Sequence, residues 1–369
     1  MIKILFLIHD LGSGGAEKVL VNLVNNMNPK RFDITVLSLF GGGVNQQFLK
    51  PHIRLITVFP KEFPGNSHIM KLLTPKQLHK WFIKDKYDIE VSYLEGPSAR
   101  IISGCPNKET KLVSWIHVEQ HTKKALAASF RSFSEATKCY NRYDNTICVS
   151  QYVKDDFCGI LDFKGNCQVL YNTNETDDII NMSAEAVEGF PKSESFNMVA
   201  VGTLKESKGY MRLLGIIKRF RESGENIHLY ILGTGPLRET MEQYIAQNNL
   251  SQSVTLLGYQ TNPYKYVSKC DLFVCSSFSE GFSTAATEAL IVGTPVCTVE
   301  VSGMKEMLGE NNEYGIVTEN SEDALYEGIK KFVESPELLD YYRKQAKERA
   351  RIFTTEETVN AVEEMLCNL

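Results

Sequence analysis

In the stretch SEGFSTAATEAL, residues 279–290, Glu280 and Glu288 stand eight positions apart with only small residues, one Phe and polar hydroxyls between them. A carboxylate accepts hydrogen bonds and donates none, so two of them around a small-residue turn suit a hydroxyl-bearing ligand. Apolar LFVCSS leads into the turn, Gly281 permits a sharp bend, and Ser283 or Thr284 can cap the helix TAATEALIVG, which Gly293 and Pro295 end. Glu280 then lies in the loop and Glu288 about one turn into the helix. Amides of Phe282, Ser283 and Thr284 at the helix start suit phosphate. A ligand with phosphates and hydroxyl-rich rings satisfies all of these groups, and a nucleotide sugar is such a ligand. The plainer readings are a surface loop acid for Glu280 and a solvated helix face for Glu288; the small residues between them favour close approach by a ligand.

Other candidates follow the same strand, loop, helix order. FNMVAVGTLKESKGY places Lys208 at a loop end, where an ammonium can meet a phosphate or simply face water. Near the N-terminus, HDLGSGGAEKVL offers Gly14 and Gly15 at a helix start, an anion cradle or an ordinary tight turn. It fails as a dinucleotide fingerprint because Glu17 stands where the third glycine belongs. KLVSWIHVEQH ends a strand at His117, directed at a hydroxyl or held structurally, with His121 four residues on. No third ligand accompanies that pair and the chain has no DxD, so no metal site is indicated.

Short apolar runs alternate with helix-period segments along all 369 residues, the pattern of parallel sheets covered by helices. Seven strands are expected in the first half and five in the second, giving two doubly wound α/β domains, 1–172 and 173–349. Polar, acidic residues 173–195 read as the hinge. A terminal helix, about 350–369, is free to pack back on the first domain. Two such domains around a hinge face each other across a cleft, with ligands beyond the strand carboxyl ends. Residues 1–172 carry 22 Lys and Arg against 15 Asp and Glu, and residues 173–369 carry 18 against 30, within a net charge of −5. The basic half lacks the aromatic interleaving of a nucleic-acid reader, which argues against that partner. The nine cysteines show no CxxC spacing and fit a cytoplasmic protein, and MIKILFLI is too short to cross a bilayer.

These motifs resemble those of the retaining GT-B-fold glycosyltransferases of family 4, the group 1 glycosyltransferases. EGFSTAATEALIVGTPV matches the family's E-x7-E signature; GSGGAEKVLVNL, VSWIH, ICVSQYVKDDF, VLYNTNE and LGYQTNPYKYVSKCDLFVCSS fall in register with other family segments. The resemblance covers nearly the whole chain. It implies GT-B architecture and transfer, with retention and without metal, from a nucleotide diphosphate sugar, UDP before GDP, with no cofactor beyond that co-substrate. It implies that Glu288 holds the ribose, that Glu280 and the amides of Gly281, Phe282, Ser283 and Thr284 hold the sugar and phosphates, and that Lys208 holds the diphosphate. His117 is implied near the reacting carbon, and Gly14 and Gly15 beside the donor. Thr203 departs from the family, which usually has Arg there; Arg212 or Lys205 is the expected substitute.

The acceptor is expected to be a carbohydrate or a lipid-linked sugar held by the basic first domain, as in cell-surface polysaccharide or glycolipid synthesis. KLLTPKQLHKWFIKDKYD, with five lysines beside Leu72, Leu73, Trp81, Phe82 and Ile83, reads as a surface helix or as a basic amphipathic helix for an anionic membrane face. A sugar-nucleotide epimerase of the same architecture and a non-catalytic partner subunit are the alternative functions.

Overall fold

The computed structural model describes residues 1–12, 14–188, 190 and 195–369. Ser13 of the glycine loop, and Gly189 and residues 191–194 of the expected hinge, lie outside the described residues. The chain divides into two units, Met1–Asn174 with Thr355–Leu369, and Glu175–Thr354.

The first unit holds a seven-stranded sheet: β1 Ile2–Ile8, β2 Phe32–Phe40, β3 Arg54–Phe59, β4 Ile89–Ser92, β5 Lys111–Ile116, β6 Asn145–Cys148 and β7 Cys167–Val169. Their spatial order is 3-2-1-4-5-6-7, all parallel, with Ile4 beside both Ile34 and Ile89, and Val91 beside Val113. Parallel strands need crossover helices, which cover both faces. That is why β1 from Ile4 onward and the whole of β4 are buried. The chain winds outward from β1 through β2 and β3, then returns to β4, so the sheet reverses direction between β1 and β4. Strand carboxyl ends part around a crevice at such a reversal.

The second unit repeats the plan with six parallel strands: β8 Phe196–Val201, β9 Ile227–Leu232, β10 Val254–Gly258, β11 Leu272–Cys275, β12 Val296–Val299 and β13 Ile316–Thr318, in the order 10-9-8-11-12-13. Its reversal lies between β8 and β11. The sixth strand, β13, goes beyond the five expected. Its three residues are too short for a periodic signal, and pairing with β12 (Cys297 beside Ile316) defines it. Each unit is a Rossmann-like domain, and the pair make a GT-B architecture.

Two segments differ from the sequence reading. Residues Thr176–Ser183, inside the expected hinge, form a helix whose Ile179 is buried with Tyr264 and Ile291 in the second unit. One apolar contact suffices where no sustained pattern exists. The lysine-rich segment is two short helices, Asn66–Leu72 and Pro75–Phe82, because Thr74 builds a capping box with Gln77 just before Pro75. Arg100 donates to the carbonyls of Met70 and Leu73, and Arg131 to those of Lys71 and Leu72, so two guanidinium groups close the end of the first of these helices. At the end of the chain, Pro336–Ala350 belongs to the second unit and Thr355–Cys367 to the first. There Glu363 accepts from the Asn28 amide at 2.6 Å and from Arg31 at 2.8 Å.

Candidate active site

At the β8/β11 reversal two loops meet. After β8 a single 3-10 turn, Glu206–Lys208, precedes the helix Tyr210–Glu222. After β11, residues 276–283 lead into the helix Thr284–Ile291. Backbone contacts lock the loops together. The Phe278 amide donates to the Ser207 carbonyl at 2.7 Å, and Ser276 Oγ donates to the Lys208 carbonyl at 2.9 Å. Gly209 sits at φ +64 directly against the Ser276 carbonyl, where a Cβ would collide with backbone. Only glycine meets both demands, and this fixes Lys208 above the end of β11.

Lys208 Nζ lies 2.6 Å from Glu280 Oε1, and Ser277 Oγ donates to the same oxygen at 2.6 Å. Both charged side chains are largely buried, so the pair is screened less than a surface ion pair. Glu288, expected one turn into the helix, is 7% exposed rather than on a solvated face, and accepts from the Tyr264 hydroxyl at 3.3 Å. Ser283 caps its helix by accepting from the Ala286 amide. Phe282 turns its ring inward against Phe353. Gly281 is buried, Thr284 is half-buried at the first helical position, and Thr203 is exposed in the loop after β8. The structure therefore brings Lys208, Glu280 and the start of the Thr284–Ile291 helix together at one reversal, with Glu288 about one turn along that helix.

Of the two residues considered as substitutes for the missing arginine, Arg212 is already committed. Its guanidinium donates to the carbonyls of Ser276 and Ser277 and to Asn320 Oδ1, and it stacks on Phe278 with 4.4 Å to the ring centroid. It is a clamp on the loop that carries Glu280. Lys205 is exposed one turn before Lys208 and has no ion-pair partner among the described residues.

The remaining expected residues lie in the first unit. Gly14 and Gly15 are exposed at the start of the helix Gly15–Asn26, and the Glu17 carboxylate folds back against Gly14. An acid therefore already complements this helix end. Asp10 shapes the preceding loop by accepting from the Gly12 amide and bonding His9, each at 2.7 Å. That hydrogen bond raises the His9 pKa and lowers that of Asp10. His117 directly follows β5 and is buried, its ring 5.0 Å from that of Tyr93, which also lies 5.0 Å from Trp115. Burial lowers the His117 pKa to about 4, partly opposed by a hydrogen bond to the Tyr93 backbone, so the imidazole is neutral at physiological pH. Its Nε2 is buried with no partner among the described residues.

His121 is four residues away but at φ +57 in a loop, so the two histidines do not share a helix face. Among the described residues, two trios of side chains have ligand atoms within 4.8 Å of one another: Glu119, His121 and Asp156 at the surface, and His79, Glu90 and Cys105 in the core. In the second, His79 Nε2 meets Glu90 at 2.8 Å. Burial alone would lower the His79 pKa, but hydrogen bonds to Cys105 and Glu90 outweigh it and push it up to about 9.

Comparison with known proteins bears on the family and the fold. Residues 184–349 match the family model described as "Glycosyl transferases group 1", and residues 13–178 match that described as "Glycosyltransferase Family 4". The chain is 28% identical over 380 residues, 96% of each chain, to the Campylobacter jejuni N-acetylgalactosamine-N,N'-diacetylbacillosaminyl-diphospho-undecaprenol 4-alpha-N-acetylgalactosaminyltransferase. Among solved structures it resembles Anabaena Alr3699/HepE in complex with UDP, with TM-score 0.78, 18% identity and full coverage of both chains. The same protein in complex with UDP-glucose gives TM-score 0.77 at 17% identity, again with full coverage of both chains. At those identities the structural likeness shows the fold. With its second unit matched by the first of these models and its first unit by the second, the chain belongs to the group 1 glycosyltransferases of family 4 and is a glycosyltransferase of GT-B architecture.

Proposed function

We propose that the protein is a retaining, metal-independent glycosyltransferase that moves a sugar from a UDP-sugar, in preference to a GDP-sugar, to a carbohydrate or lipid-linked acceptor in polysaccharide or glycolipid synthesis. The observation that carries this reading is the meeting of Lys208, Glu280 and a helix start at the β8/β11 reversal. A diphosphate entering there takes over the Lys208 ammonium and the amides of Gly281, Phe282, Ser283 and Thr284. Glu280, released from the lysine, accepts a donor-sugar hydroxyl, and Glu288 a ribose hydroxyl. As the bond to the anomeric carbon breaks, negative charge grows on the diphosphate, and fixed cations stabilise it most where charge develops. Lys208 is the first such cation, and exposed Lys205 fills the role that Thr203 cannot. The leaving phosphate takes the acceptor proton while the acceptor attacks the same face. Neutral His117 accepts from a sugar hydroxyl; Gly14 and Gly15 let the donor approach the first unit's backbone.

The UDP bound to the Anabaena protein and the undecaprenol-linked substrate named for the Campylobacter one support the donor and acceptor classes. Exposed Ile69, Leu72 and Trp81 beside Lys71, Lys76, Lys80 and Lys84 support a cytoplasmic protein resting on an anionic membrane. No helix among the described residues is long and apolar enough to cross one.

Thermal shift with UDP, GDP and their sugars tests the donor, since a ligand at 100 times its Kd adds about 2.7 kcal/mol of stability. UDP and UDP-sugars should raise Tm, GDP less so, equally with and without EDTA. No shift with any nucleotide would overturn the reading. Product anomeric configuration by NMR tests retention, and co-sedimentation with phosphatidylglycerol vesicles tests membrane association.

A further inference from the structure

The β1/β4 reversal of the first unit carries three acids, and two are accounted for locally: Asp10 by His9 and the Gly12 amide, and Glu17 by its fold back onto the helix start at Gly14. The third, Glu95, lies three residues beyond β4 in a half-buried loop. Its Oε2 accepts the His117 amide at 3.1 Å, and its own backbone amide also bonds the carboxylate. No Lys, Arg or His forms an ion pair with it among the described residues. Burial raises its pKa, as expected for a carboxyl without a cation. A partly buried carboxylate without a cation is costly unless something else occupies its lone pairs.

Its neighbour supplies a second unused acceptor. The His117 ring is 93% buried, being 7% exposed, and hydrogen bonds to the Tyr93 backbone. Donation to that carbonyl from Nδ1 leaves the orphaned Nε2 with its lone pair. Among the described residues, Glu95 and His117 thus offer two neighbouring acceptors, while His9, the histidine with a raised pKa at this end of the sheet, is engaged by Asp10; such a pair matches hydroxyl donors.

We propose that Glu95, with His117, binds a pair of sugar hydroxyls at the β1/β4 reversal, Glu95 being a substrate-binding residue of the first unit. Either the acceptor sugar or the donor's transferred sugar has this chemistry. The assignment rests on the glycosyltransferase reading and extends it to a residue that the E-x7-E pattern does not contain.

The test uses the full chain and the variants Glu95→Gln and Glu95→Ala. Titration calorimetry measures UDP and UDP-glucose; saturation-transfer NMR with UDP present measures the methyl glycosides of glucose, galactose and N-acetylglucosamine. Gln retains an oxygen for the His117 amide, so Glu95→Gln should keep the wild-type Tm and bind UDP within twofold. It should lose about tenfold in sugar affinity, because the charge-assisted hydrogen bond is gone; Glu95→Ala should lose more and also lower Tm. Loss confined to the glycosides assigns the acceptor sugar, and loss confined to UDP-glucose relative to UDP assigns the donor sugar. Changes below twofold in both arms for both variants overturn the proposal, as does a wild-type protein that binds none of the sugars. Failure of wild type to bind UDP would instead count against the donor reading, and the glycoside arm would still test Glu95.

Discussion

At the β8/β11 reversal the loop acid Glu280 has a lysine ammonium 2.6 Å away, whereas at the β1/β4 reversal the loop acid Glu95 is bonded by backbone amides next to a neutral imidazole and has no ion-pair partner among the described residues. The topology is the same and the electrostatics are opposite. Strand order dictates where a crevice opens; the residues one to three turns beyond the strands decide what enters it. A crevice with a paired Lys and Glu can trade the carboxylate for a phosphate and keep the cation. At the other reversal Glu95 and His117 are both acceptors, and Asp10 and Glu17 already engage His9 and the helix start at Gly14. On the proposed reading, hydroxyl recognition is common to both reversals, and the lysine that meets the diphosphate belongs to the second.

The most severe way to break the contrast is to remove the cation. Lys208→Ala leaves Glu280 without its partner and the diphosphate without its closest positive charge, and turnover should fall by about 10²–10³. Steady-state rates with a UDP-sugar check this; a wild-type rate would end the assignment of Lys208. Next in size is the clamp. Arg212→Ala strips the donors from the buried carbonyls of Ser276 and Ser277, a loss of about 1–3 kcal/mol in stability. Turnover should drop about tenfold because the Glu280 loop loosens, and Arg212→Lys should restore only part of both. If Arg212→Ala folded as stably as wild type with unchanged turnover, the clamp would be an idle contact.

A third test contrasts Glu95 with Glu90, five residues earlier on the same strand path and ion-paired to His79. His79 titrates near 6.5 when unfolded and about 9 when folded, so the folded state holds that proton more tightly. The pair's contribution is complete below about pH 6.5 and disappears as pH rises through 9. Wild-type Tm should decline across that window, and His79→Gln should flatten the decline; parallel profiles would show that the pair is not a charged one. The smallest effect belongs to the substituted arginine. Lys205→Ala should lower turnover several-fold, and Thr203→Arg should offset that loss. If Thr203→Arg gives no gain in either background, leaving-group charge is not what limits the rate.

Much of this was legible in residue order. The strands are continuous apolar runs, the E-x7-E stretch carries its own cap and terminator, and each side of a βα turn is a local matter of glycine, hydroxyl and helix chemistry. Glu95 escaped notice because an acid before Gly-Pro looks like any loop; its meaning depends on His117, which lies 22 residues away and meets it through β4–β5 pairing. β13 escaped for want of length, and the break at Thr74 was hidden by a lysine pattern that ran across it.

What sequence alone determined, then, was composition of the parts: two doubly wound domains, the family signature, and the acids, lysine and histidine placed at strand ends, all set by short-range periodicity and turn chemistry. Tertiary structure decided how those parts were used. It joined Lys208 to Glu280 across 72 positions, spent Arg212 on the Ser276 and Ser277 carbonyls, and buried His117 until its imidazole became neutral. It also returned the final helix to the first unit through Glu363. Each of these depends on distance and desolvation between residues far apart in the chain, and neither quantity is written in local sequence.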